Sequence, residues 1–526
     1  MNRFLLIGAF ITTLFIGFFI GTKLTVAPSI GNAGTFSFAK KFNKLNEIVG
    51  LINNKYVDSV DVNKIQEDAI NDLLSELDPH SSYAPAEDFK AMNESLEGNF
   101  EGIGVEFHIL NDTILVVSAI SGGPSEAIGI RAGDKISKIN GQTVAGIKIK
   151  NSDVVDKLRG EGGTKVTVTI IRAGQKARDY QITRGKIPLN SIDVAYMLND
   201  KKGYIKLTKF SATTEEEFTD ALVQLKAKGM TELVLDLRGN GGGYLNAAIG
   251  VADQFLGDKK LIVYTQGRKQ PRQEYRATDA GLFEDGELII LIDEGSASAS
   301  EIVAGAVQDL DRATIIGRRS FGKGLVQDQT LLKDGSALRL TIARYYTPTG
   351  RSIQKSYDKG FQSYNEDLNE RFKNGQLLSA DSVHFNDSLK FTTSGGKVVY
   401  GGGGIMPDIF VPLDTNGFTG FFGEVSARGI INEYAYEFTD RSRDRLSTYK
   451  NIKDFKQKFT LSEKDMIDFM TYVKKREVKI SSSGLKPALV TIKNQLKALI
   501  ARQLFKDEGF YKILQETDPV MTKALL

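Results

Sequence analysis

After Met1, Asn2 and Arg3, residues Phe4 to Gly21 are apolar except for Thr12 and Thr13. As a helix this run spans about 27 Å at 1.5 Å per residue, close to the thickness of a bilayer core. Thr22 and Lys23 follow with no small-x-small cleavage site. Residues 1–30 therefore read as a retained signal anchor rather than a cleaved signal peptide, and Arg3 favours a cytoplasmic amino terminus. Over 36–96 the apolar residues of FAKKFNKLNEIVGLINNKY and DAINDLLSEL recur at helical spacing. Over 97–187 the runs ILVVSAI, KVTVTIIRAG and DYQITRG are strand-like, broken by Gly and Pro and by one helical stretch, SDVVDKLRG. This stretch is a separate compact module.

Within 188–415, strands and helices alternate from Gly203 onward: GYIKLTKF, EEFTDALVQLKAKG, ELVLDL, YLNAAIGVADQFLG, LIVYTQ, ELIILI, SASEIVAGAVQDL and ATIIG. Near-continuous apolar strands alternating with helices predict a mostly parallel sheet covered by helices, LIVYTQ among its strands. The stretch 416–526 reads as a helical extension, with only Gly484 and Gly509 after residue 430 against 52 glycines in the chain. Met466, Phe469, Met470 and Val473 form one apolar stripe, opened by Ser462 as a cap, and Leu489, Ile492, Leu496, Leu499 and Ile500 form another. The fold class is multidomain α/β.

At 526 residues the chain has room for several domains. Its 68 Lys and Arg against 65 Asp and Glu leave a net charge of +3, which removes the case for nucleic acid as a partner. Cysteine is absent, which excludes disulfides, thiolate metal sites and a thiol nucleophile. Of the three histidines, His80, His108 and His384, none forms a ligand-spaced pair. That argues against a histidine metal centre and a Ser-His-Asp triad, so no metal and no cofactor are expected.

In open α/β sheets reactive groups gather where strands end and helices begin. Gly239, Gly241, Gly242 and Gly243 leave backbone amides bare ahead of a helix; Ser296, Ser298 and Ser300 lie between a buried strand and a helix; Lys323 stands between two glycines. Each has a plainer reading. The G-x-G-x-x-G frame from Gly239 meets Tyr244 where its last small residue belongs, which opposes a dinucleotide loop. Ser298 followed by Glu301 forms a capping box. GRRSFGKG from Gly317 approaches a phosphate-binding loop, but Gly324 stands where the magnesium-binding hydroxyl belongs. Ser320 and Lys323 have S-x-x-K spacing, but Gly322 and Gly324 oppose the helix it needs. In combination, a serine at a helix start, a lysine in tight apolar surroundings and a glycine-rich helix start supply the nucleophile, base and oxyanion hole of acyl transfer. The lysine serves as base only if burial lowers its pKa well below about 10.4.

The motifs LDPHSSY at 77–83, EGIGVEF, DLRGNGGG, GSASASEIVAGA, SFGKGLVQ and GGGGIMPDIFVPL occur in this order. On them the chain resembles, over residues 40–415, the carboxyl-terminal processing or tail-specific proteases. The resemblance implies a serine protease core at 188–415 with an inserted PDZ domain at 97–187. It implies Ser298 as nucleophile, Lys323 as base and Gln327 completing the site. In an extended strand positions 323 and 327 share a face, so Gln327 can orient the lysine amine. The implied oxyanion donors are the N–H groups of Ala299 and Gly243, with Gly242 as the alternative. In the PDZ domain Gly102 and Gly104 suit a carboxylate-binding loop, and Ile103, Val105 and Phe107 a pocket wall; alternatively the glycines serve a strand bend. Arg159 either couples this domain to the active site or is a solvated helix-end residue. His80 is expected in a turn or core, and His108 in a strand. The implied function is a serine endopeptidase of the cell envelope, anchored in the cytoplasmic membrane and facing the periplasm, that captures polypeptides by apolar C-terminal tails. A homo-oligomer is implied, with an adaptor protein as a further candidate partner. The alternative is a catalytically inactive PDZ scaffold that binds C-termini.

Overall fold

The computed structural model describes residues 33–172, 175–479 and 484–526. The expected anchor at 1–30 lies outside the described residues; among those described, no helix is long and apolar enough to cross a membrane. Among the described residues, 33–74 form one unit, in which α1 (Ala33–Lys55) is followed by α2 (Val62–Ser75). Residues 75–526 form the other.

The β module of this second unit is built from β1 (Val105–Leu110), β2 (Thr113–Ala119), β3 (Lys135–Ile139), α3 (Asn151–Leu158), β4 (Lys165–Ile171) and β5 (Arg178–Thr183). Its strands lie in the order β1-β2-β3-β4-β5, so β1 is an edge. Alternation along β4 sends Val166, Val168 and Ile170 into a core with Ile114, Val116 and Val154.

The central sheet uses β6 (Ile192–Met197), β7 (Lys202–Leu207), β8 (Glu232–Asp236), β11 (Glu287–Ile292), β12 (Thr314–Gly317) and β15 (Ile409–Phe410), in the order β6-β7-β8-β11-β12-β15. Only the β6–β7 pairing is antiparallel. Three helices, α4 (Thr214–Ala227), α5 (Leu245–Asp253) and α6 (Ala299–Asp309), cover one face. A second, antiparallel sheet contains β9 (Leu261–Gln266), β10 (Gln273–Arg276), β13 (Leu325–Leu331) and β14 (Ala337–Tyr346), with strand Ser82–Ala84 at the edge of β14. LIVYTQ, expected in the parallel sheet, is β9 and pairs antiparallel with β10 and β14. The reason is that β8 and β11 pair directly, Leu235 opposite Ile290, and leave no slot between them.

Near-continuous apolar strands feed two cores. Leu233, Leu235, Leu288 and Ile290 pack with Leu222, Val251 and Val303 of the three helices. The alternate residues Val234, Ile289, Leu291 and Ile316 face the other way. There they meet Val520, Met521 and Ala524 of α10 (Pro519–Ala524), so the end of the chain seals the second face of the sheet. Burying a side chain such as Met521 contributes roughly 1.5–3 kcal/mol.

Before α10 the extension folds around Phe438 of α7 (Ile430–Arg441), Phe469 of α8 (Glu463–Lys474) and Ile492 and Leu496 of α9 (Leu485–Leu514), with Phe455 and Phe459 between. Ser462 caps α8 as the stripe predicted, its hydroxyl accepting the Asp465 N–H at 3.2 Å. Arg502 of α9 reaches Glu106 of β1 at 3.1 Å, and His108 lies on β1 with its ring 3.8 Å from Glu433 of α7.

Candidate active site

Where β8 ends, the loop 237–243 is stitched to the turn that starts α6. Leu237 donates its N–H to the Leu291 carbonyl (2.9 Å) and accepts from Ser296 Oγ (2.8 Å). Asn240 is fully buried; its carbonyl accepts from Ala297 N–H (3.0 Å) and Ser300 Oγ (2.8 Å), and its Oδ1 from Gly242 N–H (2.9 Å). This sorts the three serines of the run. Ser296 and Ser300 are buried and spend their hydroxyls on loop carbonyls. Ser298 is half-buried and stands in the expected capping box with Glu301, whose N–H lies 2.8 Å from the Ser298 carbonyl.

Ser298 has φ 54 and ψ −111, a sparsely populated region that costs a non-glycine residue about 1–3 kcal/mol. Its own amide and carbonyl hold it there. The N–H donates to Glu301 Oε2 (2.8 Å), and the carbonyl lies 3.1 Å from the Tyr345 hydroxyl. Gly242 (φ +99) packs against this turn so closely that a Cβ would lie 2.8 Å from Ser298 Cβ and 2.9 Å from the Ala299 nitrogen. Among the described residues the N–H groups of Ala299 and Gly243 find no acceptor, whereas that of Gly242 is committed to Asn240.

Glu301 joins the serine turn to the lysine loop. It is fully buried, and its Oε2 accepts from Ser298 and Lys323 N–H (2.8 and 2.9 Å). Its Oε1 accepts from Gly322 N–H (2.7 Å) and Ser320 Oγ (2.5 Å). Burial raises the carboxyl pKa and these four donors pull it back. Tyr345, equally buried, places its hydroxyl 2.5 Å from the Lys323 carbonyl as well. In the sequence Glu301 shows only as the third residue of a cap. The signal for more is a charged residue in the first turn of a largely apolar helix, Ala299–Asp309, every residue of which is buried.

Lys323 precedes β13, and a bulge falls between Val326 and Gln327, so no regular strand alternation sets the pair's geometry. The contact nonetheless forms: Lys323 Nζ donates to Gln327 Oε1 at 3.0 Å, and Gln327 Nε2 donates to the His80 carbonyl at 2.6 Å. No hydrogen bond joins Lys323 Nζ to Ser298 Oγ. His80 itself is fixed by Asp78, which accepts its N–H (2.8 Å), and by Tyr364, whose hydroxyl lies 2.7 Å from Nε2. Burial, then the charge of Lys323, lowers the His80 pKa to about 4, so its ring is neutral near pH 7. LDPHSSY thus supplies a carbonyl to the lysine's partner, a role hidden in a motif read as a turn.

Burial first, and then the Arg339 charge, lowers the Lys323 ammonium to about 8. If Lys323 is the general base of a hydrolysis here, kcat/KM is expected to rise with pH, half-maximal near pH 8, and to fall about tenfold per unit on the acid side. A pH–rate profile flat from 6.5 to 9.5 would count against lysine as the base.

In the β module, Ile103 and Gly104 link the strand Asn99–Gly102 to β1. The Ile103 carbonyl accepts from Ser125 N–H (3.0 Å) and Oγ (2.6 Å), and the Gly104 carbonyl from Ile120 N–H (3.0 Å). The N–H groups of Ile103 and Gly104 have no acceptor among the described residues. Gly104 has φ +73, and a Cβ there would meet Ile187 Cδ1 at 2.9 Å. Ile103 is buried among the apolar residues of the module, and Val105 and Phe107 are half-buried. Arg159 is neither free nor at Ser298: it pairs with Glu94 at 2.7 Å and lies over the Phe100 ring.

Against known proteins, the profile of Peptidase family S41 matches residues 201–362, a PDZ domain 115–172 and the N-terminal domain of the activating protease CtpB 22–88. A family of unknown function matches 421–507. Over 345 residues the chain is 43% identical to a carboxy-terminal-processing protease of Bartonella bacilliformis, covering 64% of this chain and 78% of that protein. It is 36% identical over 351 residues to a probable CtpA-like serine protease of Staphylococcus aureus, covering 64% and 70%. A solved photosystem II D1 C-terminal processing protease is 32% identical, with a TM-score of 0.33, over 59% of this chain and 83% of that one.

Proposed function

The chain belongs to the carboxy-terminal-processing protease family and is a serine-type peptidase with a PDZ domain, and on that premise we propose that Ser298 and Lys323 carry the hydrolysis. Ser298 Oγ adds to the scissile carbonyl while Lys323 Nζ takes its proton. The oxyanion is held by the N–H groups of Ala299 and Gly243. Collapse breaks the C–N bond, the lysine returns the proton to the leaving amine, and water repeats the sequence on the acyl-enzyme. Gln327 orients the lysine amine. Because Lys323 Nζ is bonded to Gln327 at rest, a side-chain rotation toward Ser298 belongs to the cycle. The observation that carries this reading is Glu301, one carboxylate that receives the backbone N–H groups of both Ser298 and Lys323.

The PDZ domain captures the substrate's end. Strand β1 lies at the edge of its sheet, a position suited to strand addition, and the N–H groups of Ile103 and Gly104 suit a terminal carboxylate. Substrates are proteins of the cell envelope, and the apolar run Phe4–Gly21 anchors the enzyme beside them. The test is cleavage by the full chain of an unfolded protein ending in a free apolar tail, beside the same protein with its terminus amidated. Amidation is expected to lower kcat/KM at least about tenfold, mainly through KM. Equal rates would sink tail capture.

A further inference from the structure

The C-terminal extension ends against the active-site loop. Asp236, fully buried at the end of β8, accepts from Arg238 Nε (3.0 Å) and Nη2 (2.6 Å), from Lys206 Nζ (3.2 Å) and from the Tyr204 hydroxyl (2.8 Å). The Arg238 carbonyl takes a second bond from Lys206 Nζ. The remaining guanidinium nitrogen, Nη1, pairs with Asp518 Oδ2 at 2.7 Å. Asp518 Oδ1 meanwhile accepts the N–H groups of Val520 (2.8 Å) and Met521 (3.3 Å), the first turn of α10. One carboxylate therefore fastens the helix that seals the sheet to the side chain that opens the loop 238–243. Two cations and two carboxylates balance in a partly buried network, in which Asp518 and Arg238 side chains are 18% and 20% exposed. Removing Asp518 leaves Arg238 Nη1 without its carboxylate, while Asp236 still holds Nε and Nη2.

We propose that Asp518, from the C-terminal extension, is a positioning residue for peptide hydrolysis, holding Arg238 so that loop 238–243 presents the Gly243 N–H to the oxyanion. It touches no substrate and acts through Arg238. This rests on the reading of Ser298 as nucleophile and Gly243 as oxyanion donor. On this basis the extension is a built-in part of the active site, and α10 does more than cover apolar strands.

The test uses full-length Asp518→Asn and Asp518→Glu, with active sites counted by fluorophosphonate titration, beside Ser298→Ala and the control Glu516→Gln. Glu516 pairs with Lys456 within the extension. Asp518→Asn should lower kcat about tenfold with KM within about twofold, Asp518→Glu should recover most of it, and Glu516→Gln should match the parent. Adding Asp518→Asn to Arg238→Lys should cost little more than Arg238→Lys alone. A parental kcat in Asp518→Asn, or a loss confined to melting temperature, overturns the proposal. If Asp518→Asn does not fold, Arg238→Lys decides, since it cannot bridge both carboxylates and must show the kcat loss; a parental kcat there overturns it. Undiminished cleavage by Ser298→Ala would instead mark failure of the underlying nucleophile assignment.

Discussion

Lys323→Ala is expected to lower kcat for peptide cleavage about a thousandfold or more while leaving the fold intact. The substitution removes a single side-chain hydrogen bond, that to Gln327. The backbone contacts that shape the loop, Lys323 N–H to Glu301 and the Lys323 carbonyl to Tyr345, survive it. In the proposed mechanism only the proton acceptor is lost, which for a nucleophile–base pair costs almost as much as losing the nucleophile. Lys323→Arg should not rescue, because a guanidinium stays protonated. Initial rates on a fluorogenic peptide, with circular dichroism as the folding control, check both; a Lys323→Ala enzyme within tenfold of the parent would remove lysine from the mechanism.

Glu301→Ala should be the most damaging single change to stability, about 3–5 kcal/mol in the unfolding of the α/β core. It strands the N–H groups of Ser298, Gly322 and Lys323 and the Ser320 hydroxyl at once. It also releases Ser298 from its unfavourable φ of 54, so cleavage should vanish in whatever fraction stays folded. Glu301→Gln keeps the volume but turns an NH2 group toward those donors, and should recover little of either. Urea denaturation measures the shift; a loss under about 1 kcal/mol would mean that the carboxylate does not hold the two segments together.

Much of this architecture is legible in the sequence because it rests on local rules. The continuous apolar run of β11 and the stripe capped by Ser462 follow from periodicity. The glycines before α5 and the serines before α6 mark strand–helix junctions. What was not legible depends on distant partners. Nothing in LIVYTQ says that it pairs with Tyr346 and Arg344 rather than with ELVLD. Neither can spacing show that Ser296 and Ser300 spend their hydroxyls on the opposite loop, which leaves Ser298 as the odd one out. Asp518 looks like an ordinary helix cap before Pro519, and its bond to Arg238 appears only once the chain end is folded onto the sheet.

In the proposed mechanism Ser298 is the nucleophile and Lys323 its base. Reaction of the full chain with a fluorophosphonate, followed by peptide mapping across a pH series, tests it most directly. One adduct is expected, on Ser298, formed at a rate that climbs through about pH 8 with the Lys323 ammonium and collapses in Lys323→Ala. An adduct on another serine with Ser298 unmodified, or labelling of Ser298 at the same rate in Lys323→Ala, would contradict it.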